Sequence, residues 1–258
     1  AIAAYILVRG VQKGIETSVK IMMPILFALL LAMVGYGVVE GNMPRALSFM
    51  FTFDFSAING NTILIALGQA FFSIGVAMGL MMGYGAYVPD YISIPRSAVI
   101  IATADTLVAL IAGLAIFPIV FANGLDPAGG PGLIFVSLPI AFGNVPGGLV
   151  FGTLFFILLF FAALTSVIGC LEPMIAWWEE RFRMVRWKAA ILVSASVFVL
   201  GLGTVFSFNL WSAWRPLAFI DRFADFGYFE ILDYVTANLM MPIGGILLAV
   251  FVGWRVSS

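Results

Sequence analysis

The sequence has no histidine and only one cysteine, Cys170, among its 258 residues. Without histidine it can form neither a Ser-His-Asp triad nor a Cys-His pair, and the usual Cys and His zinc sites are excluded as well. A single cysteine cannot form a disulfide within the chain. A glycine-rich phosphate-binding loop of the Walker type is also absent. These absences argue against an enzyme.

Charged residues are scarce too, at 10% of the chain against about 25% in a typical soluble domain. The net charge is −1, and no basic cluster lies away from the ends of the apolar runs, so nothing indicates a nucleic-acid partner. Apolar residues are abundant instead, at 63% of the total, and aromatic residues make up 15%. This composition is typical of a protein that lies in a lipid bilayer.

Several apolar runs are long enough to cross a bilayer as helices, which takes about 20 residues each. They cover roughly residues 18–39, 61–88, 97–122, 149–178, 188–208 and 230–252. Residues 1–8 are apolar from the first position but too short to cross, so we expect them to end a further helix and the chain to be a fragment. The sequence therefore predicts an all-α, multi-pass membrane protein with a single transmembrane domain.

Positive charges indicate how the helices are oriented, because Lys and Arg concentrate in cytoplasmic loops. One side of the predicted membrane holds Arg9, Lys13, Lys20, Arg96, Arg181, Arg183, Arg186, Lys188 and Arg255, and the other holds Arg45, Arg215 and Arg222. The loop before the 18–39 span is therefore predicted inside and the long 123–148 segment outside. We expect the inner (plasma) membrane as the location.

Three carboxylates lie within or near the ends of the predicted spans: Asp105, Glu172 and Asp233. An ionisable group in the middle of a bilayer costs about 2.5–3.5 kcal/mol on insertion scales, so its presence needs a reason. Asp105 could pair with an unidentified Lys or Arg, but these residues lie only near span ends, which favours an external cation. Asp233 is equally compatible with an interfacial charge.

The stretch GQAFFSIGVAMG, residues 68–79, lies in the middle of the 61–88 span. Glycine costs about 1 kcal/mol relative to alanine in a helix interior, so we predict that the helix is interrupted between Ser73 and Gly79. In a membrane, the freed backbone groups need a polar partner, and many secondary transporters bind substrate and ions at such breaks. The alternative is a helix-packing face, because Gly75 and Gly79 also have Gly-xxx-Gly spacing.

A second polar island is AALTSVIGC, residues 162–170. The carbonyl of Ala162 and the hydroxyls of Thr165 and Ser166, three and four residues later, fall on one face of a helix. Such a cluster of oxygen atoms suits a small hard cation. The alternative is that the hydroxyls bond back to carbonyls of their own helix.

The motif GQAFFSIGVAMG, followed by FFAALTSVIGCLEPMIAWWEE, resembles the neurotransmitter:sodium symporters and in particular their bacterial amino-acid branch. ADTLVALIAGLAIFP and DPAGGPGLIFVSLPIAFGNVPGG are similar to further landmarks of that family. The resemblance covers the chain from the end of the family's fourth helix to its tenth. It implies the leucine-transporter-type inverted-repeat fold, of which this chain would hold the second repeat and the last helix of the first.

The resemblance also implies one substrate site and two sodium sites, each incomplete without the family's first helix. The substrate would be bound by Phe72, Ser73, Gly75, Met78, Ser166, Val167 and Cys170. Ser73 and Asp105 would bind the first sodium ion. The Ala162 carbonyl and the hydroxyls of Thr165 and Ser166 would bind the second. The fixed charge of Asp105 implies that chloride is not required.

Further residues match the moving parts of the family. Asp233 would be the acid of the outer gate, and Tyr87 and Glu180 would form the inner gate. Gly14 and Pro24 would mark the motif at which the fifth helix unwinds toward the cytoplasm. Because the family's first helix and its third-helix tyrosine are missing, the chain alone is not expected to transport.

These features predict a sodium-coupled symporter that works by alternating access on a neutral, bulky hydrophobic or aromatic amino acid. Glycine at 75, methionine at 78 and cysteine at 170 would leave a roomy apolar pocket. The expected partners are the amino acid, sodium ions and the lipid bilayer. An ion channel, which would need rings of one charge type, and a structural membrane subunit are the alternatives.

Overall fold

The computed structural model describes residues 1–127 and 130–255, and all regular structure within these ranges is helical. The α-helices are α1 (Ile2–Val8), α2 (Thr17–Glu40), α3 (Met43–Phe51), α4 (Gly60–Ile74), α5 (Leu80–Gly85), α6 (Ile94–Ala122), α7 (Gly130–Gly132), α8 (Leu138–Gly143), α9 (Gly148–Phe182), α10 (Arg186–Ser207), α11 (Tyr228–Asp233) and α12 (Met241–Arg255). The shorter elements are π-helices at Val11–Glu16, Leu133–Ser137 and Tyr234–Met240, and 3-10 turns at Phe55–Ala57 and Asp221–Phe223.

Five helical stretches among the described residues are long and apolar enough to cross a bilayer. They are Val11–Glu40, Ile94–Ala122, Gly148–Phe182, Arg186–Ser207 and Tyr228–Arg255. The all-α membrane architecture is thereby confirmed. The stretch at 61–88 is divided into α4 and α5, and neither of these helices is long enough to cross alone.

Residues 75–79 separate α4 from α5 because the backbone changes handedness there. Gly75, Ala77 and Gly79 have φ angles of 72°, 68° and 75°, in the left-handed region that a right-handed helix does not contain. The N–H groups of Gly75 and Val76 donate back into the last turn of α4 at 3.2 and 3.0 Å. The helix thus ends through its glycines, without a proline.

The chain divides into two compact units. The first unit comprises residues 1–10, 56–92 and those from 168 onward, and the second comprises Val11–Phe55 and Ser93–Val167. The boundary at 167/168 falls inside α9, so this helix contributes its N-terminal half to the second unit and its C-terminal half to the first.

The core of the second unit forms where α2 lies along α6. A Cβ placed on Gly41 would come within 2.5 Å of the Pro118 Cβ atom, so glycine is needed for this close approach. The Tyr36 ring stacks on Phe151 at 3.8 Å. Its hydroxyl donates to the Pro146 carbonyl at 3.1 Å, which attaches the segment before α9 to the core.

In the first unit, α4 packs against α12 through glycines as well. A Cβ on Gly245 would lie 2.8 Å from the ring of Phe71, and one on Gly244 would lie 3.2 Å from the Ala77 carbonyl oxygen. The backbone of α12 therefore lies directly against the interrupted segment. The glycines of α12 allow this close approach.

Gly79 provides a test of the left-handed backbone at the interruption. A Cβ at Gly79 would meet no atom within 4 Å, so Gly79→Ala should be destabilising only through its φ, by about 1–2 kcal/mol. Gly85→Ala is the matched control, because Gly85 is equally open but has no positive φ. The control should be neutral or stabilising by up to about 1 kcal/mol. Thermal unfolding in detergent measures both, and equal melting temperatures would contradict the prediction.

Candidate functional site

The interrupted segment brings main-chain polar groups to the end of α4. The carbonyls of Phe71 and Phe72 in the last turn accept from the N–H groups of Val76 and Gly75, but each keeps a second lone pair. The partial negative charge of a helix C-terminus attracts cations. Phe72 and Ser73 belong to the last turn of α4, whereas Gly75 and Met78 lie in the interruption. Phe72, Ser73 and Met78 are exposed within their unit and Gly75 is buried. The structure thus brings these four sequence-predicted residues together around one break.

The oxygen cluster of α9 has the geometry expected from its spacing. The Thr165 hydroxyl donates to the Ala162 carbonyl at 2.9 Å, and the Ser166 hydroxyl donates to the same carbonyl at 3.0 Å. Thr165 also donates to the Phe161 carbonyl at 3.0 Å. The back-bonding alternative is therefore what the hydroxyls do in this structure. Each hydroxyl still has acceptor lone pairs, and it can rotate them toward a cation.

The other predicted substrate and sodium residues lie on two long helices, α9 and α6. Ser166 and Cys170 are four residues apart on α9, which places them on one face, and both are exposed. Val167, next to them, is 43% exposed. Asp105 is half-buried in α6, which belongs to the second unit, whereas Ser73 belongs to the first. Their roles toward an ion stay predictions.

The two predicted inner-gate residues, Tyr87 and Glu180, line one cavity of about 370 Å³ in the first unit. The cavity lies where α5 packs on α9. A Cβ on Gly83 would come within 3.0 Å of the Pro173 Cβ atom. The Tyr84 hydroxyl donates to the Gly169 carbonyl at 3.2 Å.

The remaining predicted residues lie in helices. Asp233 is the exposed last residue of α11. Gly14 lies in the π-helical segment Val11–Glu16, and Pro24 lies within α2, which continues through it. A π-helical turn often marks a functional site. Unwinding of this helix and gating by Asp233 are untested and stay predictions.

A partly buried ion-pair network in the first unit is the main feature that sequence reasoning missed. Arg186 donates to Glu172 at 2.5 Å and to Glu179 at 3.0 Å. Its Nε atom donates to the Leu7 carbonyl at 2.8 Å. Glu172 is only 1% exposed. One guanidinium thus connects α1, α9 and α10.

The sequence contained only part of the signal for this network. The sequence marks Glu172 as an intramembrane carboxylate, whereas Arg186 is one of several positive charges that indicate the cytoplasmic side. The reversal between α9 and α10 includes Arg183, whose φ is 50°. This sharp turn brings Arg186 back to α9, and no local sequence pattern predicts its pairing with Glu172.

The family model for the sodium:neurotransmitter symporter family matches residues 1–241, which is most of the chain. The chain belongs to the sodium:neurotransmitter symporter family. Membership confirms the resemblance of the motifs and agrees with the absence of catalytic residues, since this is a family of transporters and not of enzymes.

Two sodium-dependent transporters are similar to the chain in sequence along almost its whole length. An uncharacterized sodium-dependent transporter of Bacillus subtilis, YhdH, is 34% identical over the whole chain, which covers 56% of that protein. An uncharacterized sodium-dependent transporter of Haemophilus influenzae is 34% identical over 96% of the chain and 53% of its own length. The chain therefore spans about half the length of these symporter-family relatives.

A solved structure of the family supports the fold. The crystal structure of MhsT in complex with L-phenylalanine superposes with a TM-score of 0.86 at 38% identity. The match covers 98% of this chain and 56% of MhsT. The leucine-transporter-type fold expected from the motifs is thereby confirmed for this symporter-family chain.

Removing one hydroxyl tests the oxygen cluster of this family member. Thr165→Val keeps the side-chain shape but removes the predicted sodium ligand. If the hydroxyl binds the ion, a contact of about 1.5–3 kcal/mol is lost, and about tenfold or more sodium should be needed for the same rise in melting temperature. The measurement is the sodium dependence of thermal unfolding of the protein expressed from its complete gene.

Thr153→Val is the matched control for this test. Thr153 lies on the same helix and donates to the Leu149 carbonyl at 2.7 Å, but no second hydroxyl shares that carbonyl among the described residues. The control should keep the sodium midpoint of the wild type. An equal shift in both variants would show that loss of a helix back-bond, and not loss of a sodium ligand, is the cause.

Proposed function

We propose that these residues belong to a sodium-coupled symporter of the inner (plasma) membrane, which imports a neutral amino acid with a bulky hydrophobic or aromatic side chain. The observation that carries the proposal is the oxygen cluster at Ala162, Thr165 and Ser166. It occurs in the same chain as a helix interrupted at residues 75–79. Both features place polar atoms in apolar helices, where an ion or a polar ligand can bind them.

The resemblance of the motifs to those of the family supports two sodium sites. Sodium is a hard cation that prefers oxygen ligands. The Ala162 carbonyl and the hydroxyls of Thr165 and Ser166 would hold one ion. The carboxylate of Asp105 would bind the other. Groups elsewhere in the transporter would complete both coordination shells.

The substrate would bind at the interruption between α4 and α5. Its ammonium group would approach the last carbonyls of α4 near Ser73, while Phe72 would contact its apolar body. Gly75, Met78 and Cys170 would leave room for a large side chain, and methionine adapts to different shapes. The bound L-phenylalanine of the MhsT structure supports a hydrophobic amino acid as the substrate class.

Alternating access would use the gates at either end of this site. Sodium and substrate binding would favour closure of the outer gate around Asp233. Opening of the inner gate at Tyr87 and Glu180 would follow, together with unwinding of the helix between Gly14 and Pro24. Hydration from the cytoplasm would then release the sodium ion held by the α9 cluster. A ligand shifts such an equilibrium only by its differential affinity for the two states.

Competition for uptake tests the substrate class. In proteoliposomes with an inward sodium gradient, unlabelled tryptophan, tyrosine and leucine should inhibit uptake of labelled phenylalanine more strongly than glycine or alanine do. Burial of a large apolar side chain contributes about 1.5–3 kcal/mol, which small amino acids cannot supply. Replacement of sodium by choline is the control and should abolish uptake. Stronger inhibition by glycine or alanine would refute the pocket assignment.

Replacement of chloride tests the role of Asp105. Because its carboxylate would balance the charge of the first sodium ion, wild-type uptake should be unchanged when gluconate replaces chloride. Asp105→Asn should reduce uptake about tenfold or more in gluconate, since a charge–charge interaction of a few kcal/mol is lost. Chloride should restore part of the loss.

Asp90→Asn is the matched control for the chloride experiment. Asp90 is an exposed carboxylate in the loop between α5 and α6, so its loss should leave uptake unchanged in both anions. A wild-type transporter that stops in gluconate would overturn the proposed charge balance.

A further inference from the structure

The cavity beside the inner-gate residues has an acidic and aromatic lining. It holds about 370 Å³, which is room for on the order of ten water molecules at ~30 Å³ each. Its lining includes the carboxylates Glu172 and Glu180 and the rings of Tyr84, Tyr87 and Trp177. No basic side chain is among the described residues that line it.

The charges around this cavity do not balance. Arg186 is shared between Glu172 and Glu179, so one positive charge faces two negative ones. Glu180 adds a further carboxylate to the lining. Because a membrane protein interior screens charge poorly, the excess negative charge gives the cavity a potential that attracts cations.

Glu172 has an unused acceptor in this environment. Its Oε2 atom accepts from Arg186 at 2.5 Å. Its Oε1 atom is buried without a hydrogen-bond partner among the described residues. A buried charged oxygen without a partner is costly. The side chain is 1% exposed and lines the cavity, so an ion there could provide the missing interaction after a small movement.

The chemistry of the lining favours a monovalent cation. The described residues contain no group of three or more acidic or cysteine side chains that could hold a metal ion tightly, and a divalent ion needs such a cage of oxygen ligands. The rings of Tyr87 and Trp177 instead offer cation–π contact, which adds to a carboxylate without demanding fixed coordination geometry. A weak site of this kind lets an ion enter and leave.

We infer that this cavity is a cytoplasmic-side binding site for a monovalent alkali cation, with Glu172 as its principal ligand and Glu180 at its edge. The inference rests on the proposed function for the identity of the ion, since sodium leaving the transport sites and potassium of the cytoplasm share the required chemistry. It assigns Glu172 a role in addition to its ion pair with Arg186.

Protection from alkylation tests the site. Ala86 also lines the cavity, so Ala86→Cys in the protein expressed from its complete gene, with native cysteines such as Cys170 replaced by serine, reports its accessibility. Inside-out vesicles are treated with a membrane-impermeant maleimide in N-methyl-D-glucamine, sodium or potassium chloride at equal ionic strength; choline is avoided as the reference ion because aromatic rings bind quaternary ammonium groups. An ion at twice its Kd should slow the reaction about threefold, because occupancy lowers the rate by 1 + [ion]/Kd.

Three further substitutions separate this cavity from the transport sites and from the ion pair. Glu172→Gln should abolish the protection, whereas Glu179→Gln should keep it, because both residues bind Arg186 but only Glu172 lines the cavity. Thr165→Val should keep it as well, since the protection does not depend on the α9 sodium cluster. If Glu172→Gln does not assemble, Glu180→Gln should show a partial loss.

Several results would overturn the inference. Protection that survives Glu172→Gln would exclude the carboxylate ligands. Where Glu172→Gln does not assemble, undiminished protection in Glu180→Gln would exclude them. Equal loss in Glu172→Gln and Glu179→Gln would mean that the assay reports the ion pair. Loss in Thr165→Val would assign the effect to transport sodium. No protection by either ion would mean that the cavity does not bind an alkali cation. Failure of sodium-driven uptake alone would refute the proposed function and leave this site intact.

Discussion

The structure depends on one constraint: in hydrocarbon, every backbone N–H and C=O group needs a partner. Long uninterrupted helices meet this requirement, which is why the five membrane-length stretches are helical throughout. At residues 75–79 regular helical bonding does not meet this requirement, because left-handed residues end α4 before α5 begins. Such a break survives in a membrane only where protein, water or ligand replaces the lost partners. The interruption therefore lacks part of the regular helical hydrogen bonding and offers backbone groups to a ligand.

Close backbone packing holds this weak segment in place. Glycines of α12 contact Phe71 and Ala77 on either side of the end of α4, and Gly83 of α5 lies against Pro173 of α9. Small residues let helices approach closely where lipid provides little driving force for association. The polar atoms of α9 need no such support, since the Ala162 carbonyl and the two hydroxyls are positioned by the helix itself. The candidate site at residues 75–79 thus depends on packing between helices, whereas the oxygen cluster of α9 depends only on the periodicity of one helix.

The charged residues of the chain are unevenly distributed. The chain has few ionisable residues, and their electrostatic effects are strong where water is excluded. Arg186 connects three helices through one guanidinium, whose fork of donors suits two carboxylates and a carbonyl at once. That arrangement leaves an excess of negative charge beside Tyr87 and Glu180, the predicted inner gate. A structural ion pair and an ion-attracting cavity therefore share the same residue, Glu172.

The sequence alone determined the features that depend on local periodicity. Apolar run length predicted the membrane helices, the spacing of Gly75 and Gly79 predicted a weak helix, and the i, i+3, i+4 spacing placed the oxygens of α9 on one face. The family followed from two short motifs. The tertiary structure decided the contacts between residues that are far apart in sequence. The pairing of Glu172 with Arg186, the contact of Gly83 with Pro173 and the acidic cavity all depend on how the chain reverses after α9 and α5. Helical periodicity fixes which residues share a face of one helix, but it does not specify which face of another helix lies against it.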